Sequence, residues 1–466
     1  MFEYFFSFDR ENHLIHTRIV LINAREEPIE LRLAAWRPGR YQLQNFPKNL
    51  LNFQAKQAGQ PLPWKKKDGN TWEVFPQAAL DFEVEYSFYA YDLNAGSSLV
   101  HRDYLYLNPI NFTLFTGEMK DFRVHLSTDG EVACGLPYTT SALGVSFTPP
   151  SLYTWFDSPM IIGKQLQHHR FEAEGVPFHL WIQGRTELPI PLLLQDLKAV
   201  ASYQIRLFGE FPEPDFHFLL LVPPHSYYHG VEHARSTVMV LGENGVLGLS
   251  SYQDLLGLAS HELFHAWNIC KIRPAELLPY DYTRENYFET CFVAEGMTTY
   301  FGDRVLLDAG VFTPEQYRFE LEATLRRHFD HAEPAAQSLL ESSFDLWVDG
   351  YELGVPGKKV SVYHKGAIAA LILDAKLRAA SEGKVSLEDL MRALYQRFGD
   401  LQTGYTYTDI VLMTKSISSA ELDMYFADYI AGTRPIFDAA QEALAHFGLL
   451  LERSEKTVVL SLKEPQ

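Results

Sequence analysis

Residues 255–267 read L-L-G-L-A-S-H-E-L-F-H-A-W, an almost unbroken apolar stretch with His261, Glu262 and His265 set inside it. So apolar a segment must be packed away from water. Polar and charged groups carried inside without partners are costly. On an α-helix, positions i and i+4 share a face, so the two imidazoles of H-E-x-x-H reach one ion. The intervening glutamate stands beside that face, where it can take a proton from a water on the metal. A metal ion is therefore the partner the stretch demands. Ser250, with Gln253 three residues on, predicts a capping box at the helix start, and Pro274 predicts its stop.

A catalytic zinc needs three protein ligands and one open position. Glu295, in F-V-A-E-G-M-T-T-Y, is the best third ligand. Pro274, Pro279, Asp281 and Tyr282 predict a loop that lets a second helix return against the first. Phe292, Val293 and Ala294 argue that this helix is buried. Thr298 and Thr299 share the face of Glu295 and are expected to support its carboxylate.

These residues resemble a family. H-E-x-x-H followed by E-G-x-T-x-Y is similar to the gluzincin metallopeptidases. The wider wording S-H-E-L-F-H-A-W-N, K-I-R-P, L-P-Y-D-Y and A-E-G-M-T-T-Y resembles the glycyl aminopeptidases within that clan. Residues 230–233, G-V-E-H, resemble the clan's edge-strand motif. The resemblance implies that Gly230 and Glu232 bind substrate, with Glu232 holding its free amine. Residues 363–366, Y-H-K-G, resemble the Y-x-K-G segment, which implies an oxyanion-binding role for Tyr363. W-R-P-G-R-Y at 36–41, D-F-E-V-E-Y-S-F-Y-A-Y-D at 81–92 and the stretch around Arg102–Tyr104 extend the likeness to the N-terminal part. Many such relatives carry a PDZ domain after the peptidase part. This chain ends too soon for one, so no role of such a domain is expected.

The organisation along the chain shifts once. Up to about residue 165, segments alternate with period 2, as in Ile15, Thr17, Ile19 and Leu21, then Trp72 and Val74, then Val84, Tyr86 and Phe88. With Gly, Pro and Asn turns between them, they predict an antiparallel β-sandwich. Glu232 precedes the β-branched run 236–240, a strand with which an extended substrate can pair. Helical patterns cover 190–209, 314–331, 366–381, 386–398 and 419–431, and a single short strand is expected at 457–462. The reading is an α+β multidomain chain: a sandwich over 1–165, a thermolysin-like zinc peptidase domain over 166–380 and a helical region over 381–466.

The net charge of −19, from 59 acidic and 40 basic residues, disfavours nucleic acid and anionic membranes as partners. The run Lys65–Lys67 beside Asp68-Gly69-Asn70 reads as a solvated hairpin turn. Cys134, Cys270 and Cys291 form no disulfide framework and are expected as buried thiols. M-F-E-Y-F-F-S-F-D-R lacks a basic start and a long apolar core, and no run is long enough to span a bilayer, so a cytoplasmic protein is expected.

The expected activity is hydrolysis of the N-terminal peptide bond of peptides with a free amine, with one Zn2+ held by His261, His265 and Glu295 and with Glu262 as general base. The family name implies small first residues, Gly or Ala. An endopeptidase with the same chemistry, a non-catalytic peptide-binding protein and a purely structural zinc are the alternatives. The last is disfavoured because structural sites are usually closed by cysteines. Oligomeric state is left open.

Overall fold

The computed structural model describes residues 2–22, 27–117, 119, 121–331, 335–352, 354–455 and 457–463. The N-terminal part is built on the hairpin of Phe2–Asp9 with Leu14–Leu21. In the second strand Ile15, Thr17, Ile19 and Leu21 are buried and His16 is exposed, as the alternation requires. Phe82–Tyr89 and then Leu50–Gln57 extend this sheet on one side. On the other side Phe2–Asp9 pairs with Phe122–Leu126 in parallel, so the sandwich is not wholly antiparallel. Side chains alternate identically in both strand senses, so period 2 carries no information about direction. The lysine run lies where expected, in the hairpin of Trp64–Lys66 with Thr71–Val74, and Lys65 pairs with Glu73 at 2.8 Å.

A four-stranded sheet of Leu99–Val100, Tyr104–Leu107, Glu131–Cys134 and Met160–Gly163 closes the sandwich. Leu105, Leu107, Val132 and Ile162 point into its core. The alternate residues, Tyr106, Ala133 and Ile161, pack outward on Trp181, Leu219, Val231, Val238 and Val240. The sandwich is thereby fastened to the back of the next sheet by a second apolar layer.

That next sheet has five strands in the order Gln167–Ala173, Val176–Gln183, Phe216–Leu221, Ser236–Gly242, Tyr227–Glu232. Its middle three strands are parallel, and Tyr227–Glu232 runs antiparallel at the edge. The run 236–240 is therefore an interior strand with both neighbours in place. The outermost strand on that side is Tyr227–Glu232, which carries Gly230 and Glu232 themselves. Helices Ile190–Phe208 and Tyr252–Phe264 cover the other face through Leu193, Leu197, Leu255 and Leu263.

The rest is helical: Thr298–Asp308, Pro314–Phe329, His364–Ala380, Leu387–Phe398, Tyr407–Ile417 and Phe437–His446 are the longer helices. The helix expected over 419–431 is instead one turn, Asp423–Tyr425, running into a π-turn, Phe426–Ile430. The terminal strand is not alone, since Val458–Leu462 pairs with Leu449–Arg453. One apolar core continues from Ala173 to Leu460 and takes in Ala35, Trp36 and Tyr41 from the N-terminal part. No described helix is long and apolar enough to cross a membrane.

Candidate active site

The helix Tyr252–Phe264 is buried along Leu255, Leu256, Leu258, Ala259 and Leu263, and His261 and His265, one turn apart, share one side of it. Its N-cap is Ser251, whose side chain makes no cap bond. A 3-10 turn at Leu249–Ser251 leads in, so the capping box expected at Ser250 does not form. The helix ends at Phe264, well before Pro274, because the chain turns at His265–Asn268 and Ile269 takes a φ of 98°. Such a φ in a β-branched residue is strained and is held only by its surroundings.

Glu295 comes from a π-turn, Phe292–Met297, at the head of helix Thr298–Asp308. A π-turn inserts one residue per turn and re-aims the side chains within it. His261 Nε2 lies 3.8 Å and His265 Nε2 3.4 Å from Glu295 Oε2, and the two imidazole nitrogens are 3.1 Å apart. The three expected ligands thus converge on one point. His265 Nδ1 donates to the Asn268 carbonyl at 2.8 Å, which leaves Nε2 to face the cluster.

Asn268 is the residue the sequence reading passed over. It is fully buried, and its Nδ2 donates to the carbonyls of Val293 and Ala294 and to Thr298 Oγ1. It ties the turn after the histidines to the turn that carries Glu295. Thr298 donates to the Ala294 carbonyl, so it braces the π-turn backbone rather than the Glu295 carboxylate as expected. The signal was the A-W-N that follows the second histidine.

Gly230 and Glu232 of the edge strand face the same cluster. A Cβ at Gly230 would stand 2.2 Å from Glu262 Oε1, so glycine there is what lets Glu262 lie against the strand. A Cβ at Gly39, whose φ is +76°, would stand 2.6 Å from Glu232 Oε2. The loop W-R-P-G-R-Y of the sandwich therefore lies as a wall against Glu232. Tyr351 reinforces that wall: its hydroxyl accepts from the Tyr41 N–H, and Arg40 stacks on its ring.

Tyr363 caps helix His364–Ala380. That helix meets the π-turn at two glycines, since a Cβ on Gly296 would lie 2.6 Å from the Gly366 Cα. Burial pushes the Tyr363 hydroxyl pKa up, and Glu295 adds to the shift. Cys270 and Cys291 are buried free thiols, as expected.

The electrostatics are those of a cation site. Burial opposes charge on His265, but Glu295, Glu232 and Glu262 outweigh it and raise its pKa to about 10. Burial likewise opposes charge on Glu295, but His265 and His261 hold its pKa down at about 2. Burial raises Glu262 well above the ordinary range, and Glu262 Oε2 is buried without a hydrogen-bond partner. Glu232, Glu262 and Glu295 all press inward on His265. Two imidazole nitrogens and a carboxylate oxygen are a donor set that fits a divalent metal.

Residues 3–164 match the Peptidase M61 N-terminal domain and residues 254–369 match M61 glycyl aminopeptidase. The fold is similar to a crystal structure of an aminopeptidase N family protein from Idiomarina loihiensis. That pair has a TM-score of 0.89 and 27% identity over 98% of this chain and 82% of the other. An M1 zinc metallopeptidase from Deinococcus radiodurans, at TM-score 0.57 and 14% identity over 93% and 94% of the chains, shares the fold, in keeping with the thermolysin-like architecture expected. A structure of that M1 enzyme with a substituted residue holds a Tyr-Ser-Ala substrate, at TM-score 0.56 and 15% identity over 93% and 94%. No curated protein matches the sequence. With both of the family's regions matched in order along it, the chain belongs to the M61 glycyl aminopeptidase family of peptidases.

Proposed function

We propose that this peptidase is a zinc aminopeptidase that removes the first residue from peptides with a free N-terminus and favours glycine or alanine there. The observation that carries the reading is the convergence of His261, His265 and Glu295 beside an open edge strand that ends in a buried carboxylate, Glu232. His261, His265 and Glu295 would hold one zinc ion, which when bound polarises the scissile carbonyl and lowers the pKa of its water toward ~7.

The chain's own groups supply the rest. A peptide pairs in extended form along Tyr227–Glu232 through main-chain hydrogen bonds. Glu232, at the end of that strand, accepts the substrate ammonium and so fixes where the peptide begins. Glu262, pressed against Gly230, takes a proton from the attacking water and passes it to the leaving amine. Tyr363 stays protonated at neutral pH and donates to the developing oxyanion, a contribution typically of ~3 kcal/mol. The loop around Gly39 leaves little room beside Glu232, and the family's description as glycyl aminopeptidases supports a small first residue.

The test compares glycyl and alanyl anilides with their N-acetylated forms on protein whose metal content has been measured. The expected result is about one zinc per chain and turnover of the free-amine forms alone. Equal turnover of the blocked forms would overturn the aminopeptidase reading in favour of an endopeptidase.

A further inference from the structure

The histidine of G-V-E-H takes no part in the chemistry above. His233 follows Glu232 directly and is 6% exposed. Its ring Nδ1 donates to Asp157 Oδ1 at 2.9 Å. The Ala234 N–H donates to the other oxygen, Asp157 Oδ2, at 2.9 Å. Asp157 belongs to the N-terminal part, where it caps the short helix Leu152–Phe156 at its C-terminal end. The far nitrogen of the ring, His233 Nε2, is buried without a hydrogen-bond partner. Among the described residues, Asp157 is therefore the one group that holds the imidazole by a hydrogen bond.

The next residue is pinned in a similar way. Arg235 Nε and Nη2 donate to the two oxygens of Asp215 at 2.6 and 2.7 Å. The turn from His233 to Arg235 thus has a carboxylate on each of its three residues. It is already closed by its own backbone, since the His233 N–H donates to the Ser236 carbonyl at 2.9 Å. A buried imidazole–carboxylate pair adds little net stability, because the desolvation of both groups offsets their attraction. What such a pair does is fix a position. The position fixed here is the end of Tyr227–Glu232, a strand with a neighbour on one side only.

We propose that His233 and Asp157 are positioning residues for Glu232: through Asp157, the N-terminal domain sets where the carboxylate stands and so how tightly a free N-terminus is held. Glu232 is the amine anchor under the proposed function, on which this assignment rests. The anchor meets the substrate ammonium in the ground state and the transition state alike. Loosening it therefore weakens binding and leaves the chemical step alone.

His233→Asn and His233→Gln separate positioning from packing. The Asn Nδ2 branches from Cγ, as the imidazole Nδ1 does, and can donate to Asp157 Oδ1. The Gln Nε2 lies one bond further out and cannot take that place. The assay is initial-rate kinetics on alanyl anilide, with zinc content and urea midpoint measured on each sample. His233→Gln should raise KM about tenfold with kcat within about twofold of wild type. His233→Asn should stay near wild type, and Asp157→Ala should follow His233→Gln. A second readout uses glycine hydroxamate and acetohydroxamate, which differ by the amine alone. In His233→Gln the inhibition constant of glycine hydroxamate should rise with KM, and that of acetohydroxamate should not move.

Asn and Gln variants that behave alike would overturn the assignment. So would a fall in kcat at unchanged KM, or an equal rise in both inhibition constants, which would mean a general loosening of the site. Failure of the proposed function shows elsewhere, in the wild type. Equal turnover of free and N-acetylated anilides there would remove the anchor, and this assignment with it. A wild type selective for free amines, with variants indifferent to the change, would remove the assignment alone.

Discussion

Gly230→Ala tests the geometry of the site with one methyl group. The backbone of Gly230 is ordinary extended strand, so alanine meets no conformational penalty there. Its Cβ would instead stand 2.2 Å from Glu262 Oε1, 2.6 Å from Glu262 Cδ and 2.8 Å from Leu258 Cδ1. Carbon–oxygen contacts relax at ~3.5 Å, so the Glu262 carboxylate must retreat by about 1 Å. A displacement of that size in a catalytic group costs roughly 10²-fold, which is ~2.7 kcal/mol of barrier. The assay is kcat/KM on alanyl anilide, with metal content measured on the same sample. Zinc should stay near one per chain, because the histidines and Glu295 are not touched. In the double variant with Glu262→Gln the two losses should not add, since both act through one carboxylate. A Gly230→Ala protein within about threefold of wild type, fully loaded with metal, would refute the placement of Glu262 as the base.

Four further outcomes follow from the same structure. Glu262→Gln should keep its zinc and lose activity by at least ~10²-fold, read as kcat against metal content. Gly366→Ala sets a Cβ 2.8 Å from the Gly296 Cα and should cost about 1–3 kcal/mol in the urea midpoint while lowering kcat through Tyr363; an unchanged midpoint would mean that the helix and the π-turn do not meet there. Asn268→Ala should weaken metal affinity roughly 10–100-fold in chelator competition, as loss of an outer-shell brace does. Burial, with Glu320 adding to it, raises the Asp303 pKa to about 7, above the unfolded value of ~3.9. Asp303 therefore binds its proton more tightly when folded, and its contribution to stability is full below pH ~4 and lost as pH rises through about 7. Asp303→Asn should remove that loss, so the variant gains on wild type in urea midpoint between pH 5 and pH 8; a constant difference would contradict the shift.

Much of the site was legible because its chemistry is written in residue types. The apolar run around His261 and His265, and the apolar approach to Glu295, pointed to buried polar groups in need of an ion, and the structure brings them together. Backbone geometry was less legible. An α-helical period and a π-turn differ by one residue per turn, so Phe292–Met297 read as ordinary helix. Alternation marked segments such as Ile15–Leu21 and Val84–Phe88 as strands and carried no sign that Phe2–Asp9 pairs with Phe122–Leu126 in parallel. The run 236–240 stood out by its β-branched residues, which are a mark of the sheet interior. The true edge, Tyr227–Glu232, is mixed in polarity because one side of it is open. The glycines Gly39, Gly230, Gly296 and Gly366 act through the atoms they lack, and only the folded neighbours show what a side chain would strike.

The wall that W-R-P-G-R-Y sets against Glu232 limits how the protein can be divided. A fragment beginning after Gly163 would retain the whole of H-E-x-x-H, Glu295 and Tyr363, yet it would present Glu232 to open water and leave the outward face of Trp181, Leu219 and Val240 bare. The β-sandwich is thus no detachable appendage. Excising it, or exchanging it for a relative's, alters the pocket itself, and the loop around Gly39 would have to travel with the peptidase portion in any chimera meant to keep it.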